Sequence, residues 1–130
     1  MIGVDTNVLL RFLLNDDPEQ SPRAAQFFAE RGPADPAFLS LVAVLEAVWV
    51  LRRRLKRSEE EVARMLRGLL GSDRVVVEHE QLVIRALRDT EQTGADFADA
   101  VIAHLGVERG CDLTVTLDRS AANLPGMLAL

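Results

Sequence analysis

Met1-Ile-Gly-Val-Asp5-Thr-Asn-Val8 opens the chain, and its reading sets the fold. Residues 1–5 alternate too little for a half-exposed strand and read as one buried on both faces, the habit of parallel sheets. Asp5-Thr6-Asn7 then turns into the apolar helix Val8-Leu-Leu-Arg-Phe-Leu-Leu14, with Thr6 or Asn7 available as its cap. A strand that feeds a helix through three polar residues is the first half of a βαβ unit.

The rest of the chain repeats this alternation. Asn15-Asp-Asp-Pro18 ends the first helix, and a second is expected from about Pro18 to Glu30, before the breaker-rich Gly32-Pro-Ala-Asp-Pro36. Ala37-Phe-Leu39 is a short strand, and Ser40 caps a long helix that runs to the block Arg52-Arg-Arg-Leu-Lys-Arg57. Ser58-Glu-Glu-Glu61 is a capping-box start for a helix to about Leu70. Arg74–Val77 is a strand, and helices are expected at about 79–92 and 97–109, the latter stopped by Gly110. Asp112–Leu117 and Met127–Leu130 are the last strands. The expectation is a single α/β domain over 1–130, a central parallel sheet between helical layers.

Four acids stand out by position. Asp5 closes the first apolar run, and Asp118 closes Leu113-Thr-Val-Thr-Leu117. Glu46 is the one charge between Ser40 and Leu51, with Val42, Ala43, Trp49 and Val50 as its helical neighbours. Asp99 falls in the first turn of an apolar helix. Unpaired carboxylates are costly in apolar surroundings, and no set of basic residues is spaced to pair with all four. Ligands of open parallel sheets bind outside the carboxyl ends of the strands, so acids from four segments are expected to converge there. Oxygen donors without His or Cys suit Mg²⁺ or Mn²⁺. Each acid also has a plain alternative: Asp5 as a helix cap, Glu46 on a solvated face, Asp96 and Asp99 as a capping pair, Asp118 as a turn residue.

Composition narrows the class. Apolar residues make up 48% of the 130, which suits a packed globule, and no run approaches a membrane span. No basic segment precedes an apolar one at the N-terminus, so no signal peptide is expected and the cytoplasm is the expected compartment. Cys111 stands alone, which rules out an internal disulfide. The net charge of −5 ordinarily counts against nucleic acid. Several of those negatives, however, belong to the proposed metal site. Arg52, Arg53 and Arg54 form a local basic block suited to phosphate, or simply a solvated helix end.

In this order, Val4-Asp-Thr-Asn7, Ser40 to Glu46, Asp96-Phe-Ala-Asp-Ala-Val-Ile-Ala103 and Thr116-Leu-Asp-Arg119 resemble the PIN-domain proteins across essentially the whole chain. Length and the ending Leu124-Pro-Gly-Met-Leu-Ala-Leu130 look most like the VapC toxins of toxin–antitoxin pairs. The resemblance implies a three-layer α/β/α fold with about five parallel strands, and a metal-dependent ribonuclease site. It carries to Asp5, Glu46, Asp99 and Asp118 as catalytic acids, with Asp5 and Asp99 on the metal. Thr6, Asn7, Ser40, Asp96 and Thr116 become supporting residues. It further implies an RNA substrate, a VapB-like antitoxin and a homodimer. Phe12, Leu13, Phe27 and Phe28 exceed what one small core face needs and fit such a partner surface as well as a core. One departure is Asp118-Arg-Ser-Ala-Ala122, where relatives often carry an aromatic or a second acid after the Arg.

Two other classes compete. A PIN-like module without catalysis would need none of the acids. A phosphatase or receiver-type phosphotransfer domain needs a strand-end lysine, whereas the one lysine, Lys56, lies in the arginine block.

Overall fold

The computed structural model describes residues 1–130 and comprises two compact units, Met1–Glu78 and His79–Leu130. In the first, β1 (Ile2–Gly3), β2 (Ala37–Leu39) and β3 (Val75–Val77) form a parallel sheet in the order β1-β2-β3. Ile2 faces Ala37, and Leu39 faces Val77. The central strand is the buried one, with Ala37 and Leu39 wholly inaccessible. This corrects the reading of residues 1–5 as a fully buried strand. Only two of them pair, at the sheet edge, and Ile2 remains 43% exposed.

Helix α1 (Thr6–Leu14) follows β1 and α2 (Gln20–Ala29) packs against it. The corner between them is built from polar atoms. Asn15 closes α1 in the left-handed region at φ 49°, its N–H donating to the Arg11 carbonyl. The buried Ser21 hydroxyl donates to the same carbonyl at 2.8 Å and accepts from the Asp17 amide at 3.1 Å. Leu9, Leu10, Ala24 and Phe28 then bury together with Val44, Ala47 and Val48 of α3 (Leu41–Trp49) in the first unit's core. Phe28 belongs to that core, its ring 4.3 Å from that of Phe12. Phe12, Leu13 and Phe27 are half-buried.

Two side chains start α3. Ser40 Oγ accepts from the Ala43 amide at 3.1 Å, and Glu78, just past β3, accepts from Leu41 at 2.9 Å. The helix does not continue regularly into the arginine block. Val50–Arg54 is a π-helical turn that keeps Leu51 buried and leaves Arg52, Arg53 and Arg54 exposed. Lys56 follows at φ 54°. In α4 (Glu59–Leu70), Ser58 caps the Glu61 amide and three glutamates occupy the first turn, where the helix dipole favours them.

The second unit begins with α5 (Glu80–Thr93) and α6 (Phe97–Glu108), joined at Gly94, whose φ of 72° suits glycine. The two helices pack together, and His104 Nε2 lies 2.7 Å from Asp89 Oδ2 between them. Gly110 ends the second at φ 85°, beside the exposed Cys111. β4 (Thr114–Thr116) pairs in parallel with β5 (Met127–Ala129), Thr114 opposite Met127. Gly106 lets α6 approach β4 closely, since a Cβ there would sit 2.6 Å from Thr114 Oγ1.

Five strands, all in parallel pairings, meet the α/β expectation. Their distribution differs from one central sheet: three belong to the first unit and two to the second. Strands this short leave little pattern from which to read a partner. No helix is long and apolar enough to cross a membrane.

Candidate active site

Asp5 stands immediately after β1 and is the N-cap of α1. Its Oδ1 accepts from the Val8 amide at 2.9 Å. The cap is therefore Asp5 itself, rather than Thr6 or Asn7. Thr6 is the first helical residue, and Asn7 is exposed. Oδ2 of Asp5 has no protein partner, so capping leaves one oxygen with its lone pairs available.

Asp5 also lines a cleft of about 590 Å³ in the first unit, with Asn7, Arg11, Gln20, Arg23 and Phe27 among its walls. Arg11 Nε donates to Gln20 Oε1 at 2.7 Å, and its Nη1 lies 3.6 Å from Asp16. Arg23 is exposed and takes part in no ion pair or hydrogen bond. Of these, Arg11, Gln20 and Arg23 escaped the sequence reading, whereas Asn7 and Phe27 were singled out for other roles. The one available signal was Arg11, the single charge in an otherwise apolar helix.

Glu46 lies in α3, six residues beyond the Ser40 cap. It is exposed, contrary to the expectation drawn from its apolar neighbours, because several of those neighbours are exposed too. Val42 is 71% and Trp49 55% accessible, so one face of α3 is apolar, outward and interrupted by a single carboxylate. That carboxylate has no hydrogen bond or ion pair. Asp5 and Asp118 are exposed as well.

The second unit holds the other acids. Asp96 is the N-cap of α6, Oδ1 accepting from the Ala98 amide at 2.8 Å, and Asp99 is half-buried in the first turn. Asp118 follows β4 in a turn. Its Oδ1 accepts from the Ser120 and Ala121 amides at 2.7 and 3.3 Å, and its own N–H donates to Thr116 Oγ1 at 3.0 Å. Thr116 thus orients the backbone that presents Asp118. Oδ2 of Asp118, like that of Asp5, has no protein partner.

Neither unit by itself gathers three or more His, Cys, Asp or Glu side chains able to hold a metal. Asp5 and Glu46 belong to one unit, Asp96, Asp99 and Asp118 to the other. The donor chemistry fits a hard divalent cation: Asp5, Glu46 and Asp118 offer only oxygen, each with at least one atom uncommitted. The histidines are otherwise engaged. His104 pairs with Asp89, and His79 Nδ1 lies 3.6 Å from Glu108.

Known proteins supply an independent comparison. No curated protein matches the sequence significantly. Among solved structures, the Mycobacterium tuberculosis toxin VapC20, titled a sarcin–ricin loop cleaving toxin, is similar at 19% identity and a TM-score of 0.46. The similarity covers 94% of this chain and 93% of that one. The PIN domain model matches residues 2–126, from β1 through the turn before β5 and across both units. A match to that family's model over nearly the whole chain shows that the chain belongs to the PIN-domain family.

Proposed function

We propose that residues 1–130 act as one PIN domain that hydrolyses RNA phosphodiester bonds with Mg²⁺ or Mn²⁺. We assign it the role of a VapC-type toxin that meets a VapB-like antitoxin in the cytoplasm and works as a homodimer. One observation carries the enzymatic part: Asp5, at the carboxyl end of β1, keeps one oxygen free while lining a cleft that two arginines share.

Asp5 and Asp99 are the proposed ligands of the cation. When bound, it supplies Lewis acidity, activation of water near neutral pH and compensation of phosphoryl charge. Glu46 or Asp118 would hold a second ion or accept a hydrogen bond from the water and so orient it toward phosphorus. Thr116 and the Ser120 amide hold Asp118 in place, and Ser40 fixes the start of the helix that bears Glu46. Asp96 caps the helix whose first turn bears Asp99, and Thr6 and Asn7, the residues after Asp5, are the proposed supporting groups on that side. Arg52, Arg53 and Arg54, fanned from the π-turn, contact the RNA backbone through bidentate phosphate pairing.

The test is cleavage of a mixed RNA pool by wild-type and Asp5→Asn protein, with Mg²⁺, Mn²⁺ or EDTA. Cleavage that needs the cation and is abolished by the substitution supports the proposal. Cleavage indifferent to both refutes it. The competing non-catalytic module predicts no cleavage by wild type under any condition.

A further inference from the structure

We infer that the cleft beside Asp5 is a subsite for one unpaired ribonucleotide next to the bond to be cut, with Arg11 and Arg23 on its phosphate and Phe27 beneath its base. The inference rests on the ribonuclease reading and adds a place for substrate within the first unit. Its volume, about 590 Å³, lies in the range of small-molecule sites and is generous for a nucleotide.

The lining argues the chemistry. Arg23 is exposed, lines the cleft and is engaged in no hydrogen bond or ion pair, so its guanidinium is available to an incoming anion. Arg11 is the opposite case. Its guanidinium is held by Gln20 and Asp16, so little rotamer freedom remains to be lost when an anion arrives. A fixed and a free guanidinium on one cleft suit the forked oxygens of a phosphodiester. Phe27 adds an aromatic surface, steadied by Arg31, whose Cζ lies 4.8 Å from the ring centre. Unpaired bases of RNA are recognised by stacking on such rings, whereas a base held within a duplex cannot enter a cleft.

The experiment measures binding of a fluorescently labelled single-stranded RNA to Asp5→Asn protein, which separates binding from cleavage. It is repeated with Arg23→Ala, Arg23→Lys or Phe27→Leu added, across a salt series. Arg23 is exposed and unpaired, so its replacement spares the fold, which a thermal melt checks. The expected result is a loss of about 5- to 20-fold in affinity for Arg23→Ala and a salt slope reduced by about one. Lysine restores most of the affinity, and Phe27→Leu loses about tenfold. In the Asp5-intact enzyme, Arg23→Ala raises KM more than it lowers kcat. If Arg23→Ala binds and cleaves like its parent while Asp5→Asn abolishes cleavage, the subsite is overturned and the ribonuclease reading stands. If wild type neither binds nor cleaves RNA, both are overturned. Equal binding of duplex RNA, or an Arg23-dependent preference for polyglutamate over RNA, overturns the nucleotide assignment.

Discussion

The Asp5 carboxylate and the Val8 amide meet at 2.9 Å, so one side chain both begins α1 and stands at the proposed reaction centre. The two roles separate by substitution. Asparagine caps a helix about as well as aspartate, while alanine costs about 1 kcal/mol. Asp5→Asn should therefore melt close to wild type yet lose RNA cleavage by a factor of about 100 or more. Asp5→Ala should lose both. Parallel calorimetry and cleavage assays distinguish charge from cap.

Glu46 has no partner on the surface of α3, so its charge contributes nothing to the fold. Glu46→Gln should leave the melting temperature unchanged or slightly raised and reduce cleavage by about tenfold or more. Retained cleavage would remove Glu46 from the mechanism.

His104 and Asp89 pair at 2.7 Å with side chains only 19% and 15% accessible. Removing one partner strands the other, so His104→Ala should destabilise by about 1–3 kcal/mol. A double-mutant cycle with Asp89→Ala should show the pair to be less than additive, because the second removal leaves nothing further unsatisfied. Denaturant unfolding reads both.

Asp17 accepts the Gln20 and Glu19 amides at 2.6 and 3.0 Å, and these bonds, Gln20 first, hold its carboxyl below the ordinary value of 3.8. In the window between the folded and unfolded values the unfolded chain binds more protons, so stability rises with pH there. The Asp17 contribution is full above about pH 4 and fades as pH falls below 3.8. Asp17→Ala should lower Tm at pH 7, and the difference from wild type should shrink as the pH is taken toward 2.

Gly106→Ala pits the helix preference for alanine, about 1 kcal/mol, against a Cβ placed 2.6 Å from Thr114 Oγ1. The contact should win, with a net loss of about 1–2 kcal/mol, because Thr114 sits in β4 and has few rotamers to retreat to. Adding Thr114→Ala should restore stability. A single Gly106→Ala as stable as wild type would show that the strand yields.

Local signals were legible where one residue settles one element. Ser58 with Glu61, Asp96 before Phe97, and Gly94 and Gly110 after their helices all mark true boundaries. Asp5 was ambiguous because a cap and a metal ligand look alike in sequence: both are an acid between a strand and a helix. The exposure of Glu46 was hidden by the helical neighbours Val42 and Trp49, whose own exposure no periodicity reveals. The π-turn at Val50–Arg54 has no residue signature, since every residue in it is an acceptable helix former. The cleft was invisible for a different reason. Arg11 and Arg23 are twelve positions apart, and only the corner fixed by Asn15 and Ser21 brings their helices together.

Cys111, exposed in the turn after α6, is the one thiol of the chain. It is therefore a single chemical address: a maleimide dye placed there labels every molecule once and at the same atom. Oxidation at that sulfur can join two chains but never a chain to itself, so a covalent dimer formed in air is a handling artefact to be removed by reductant before assembly is weighed.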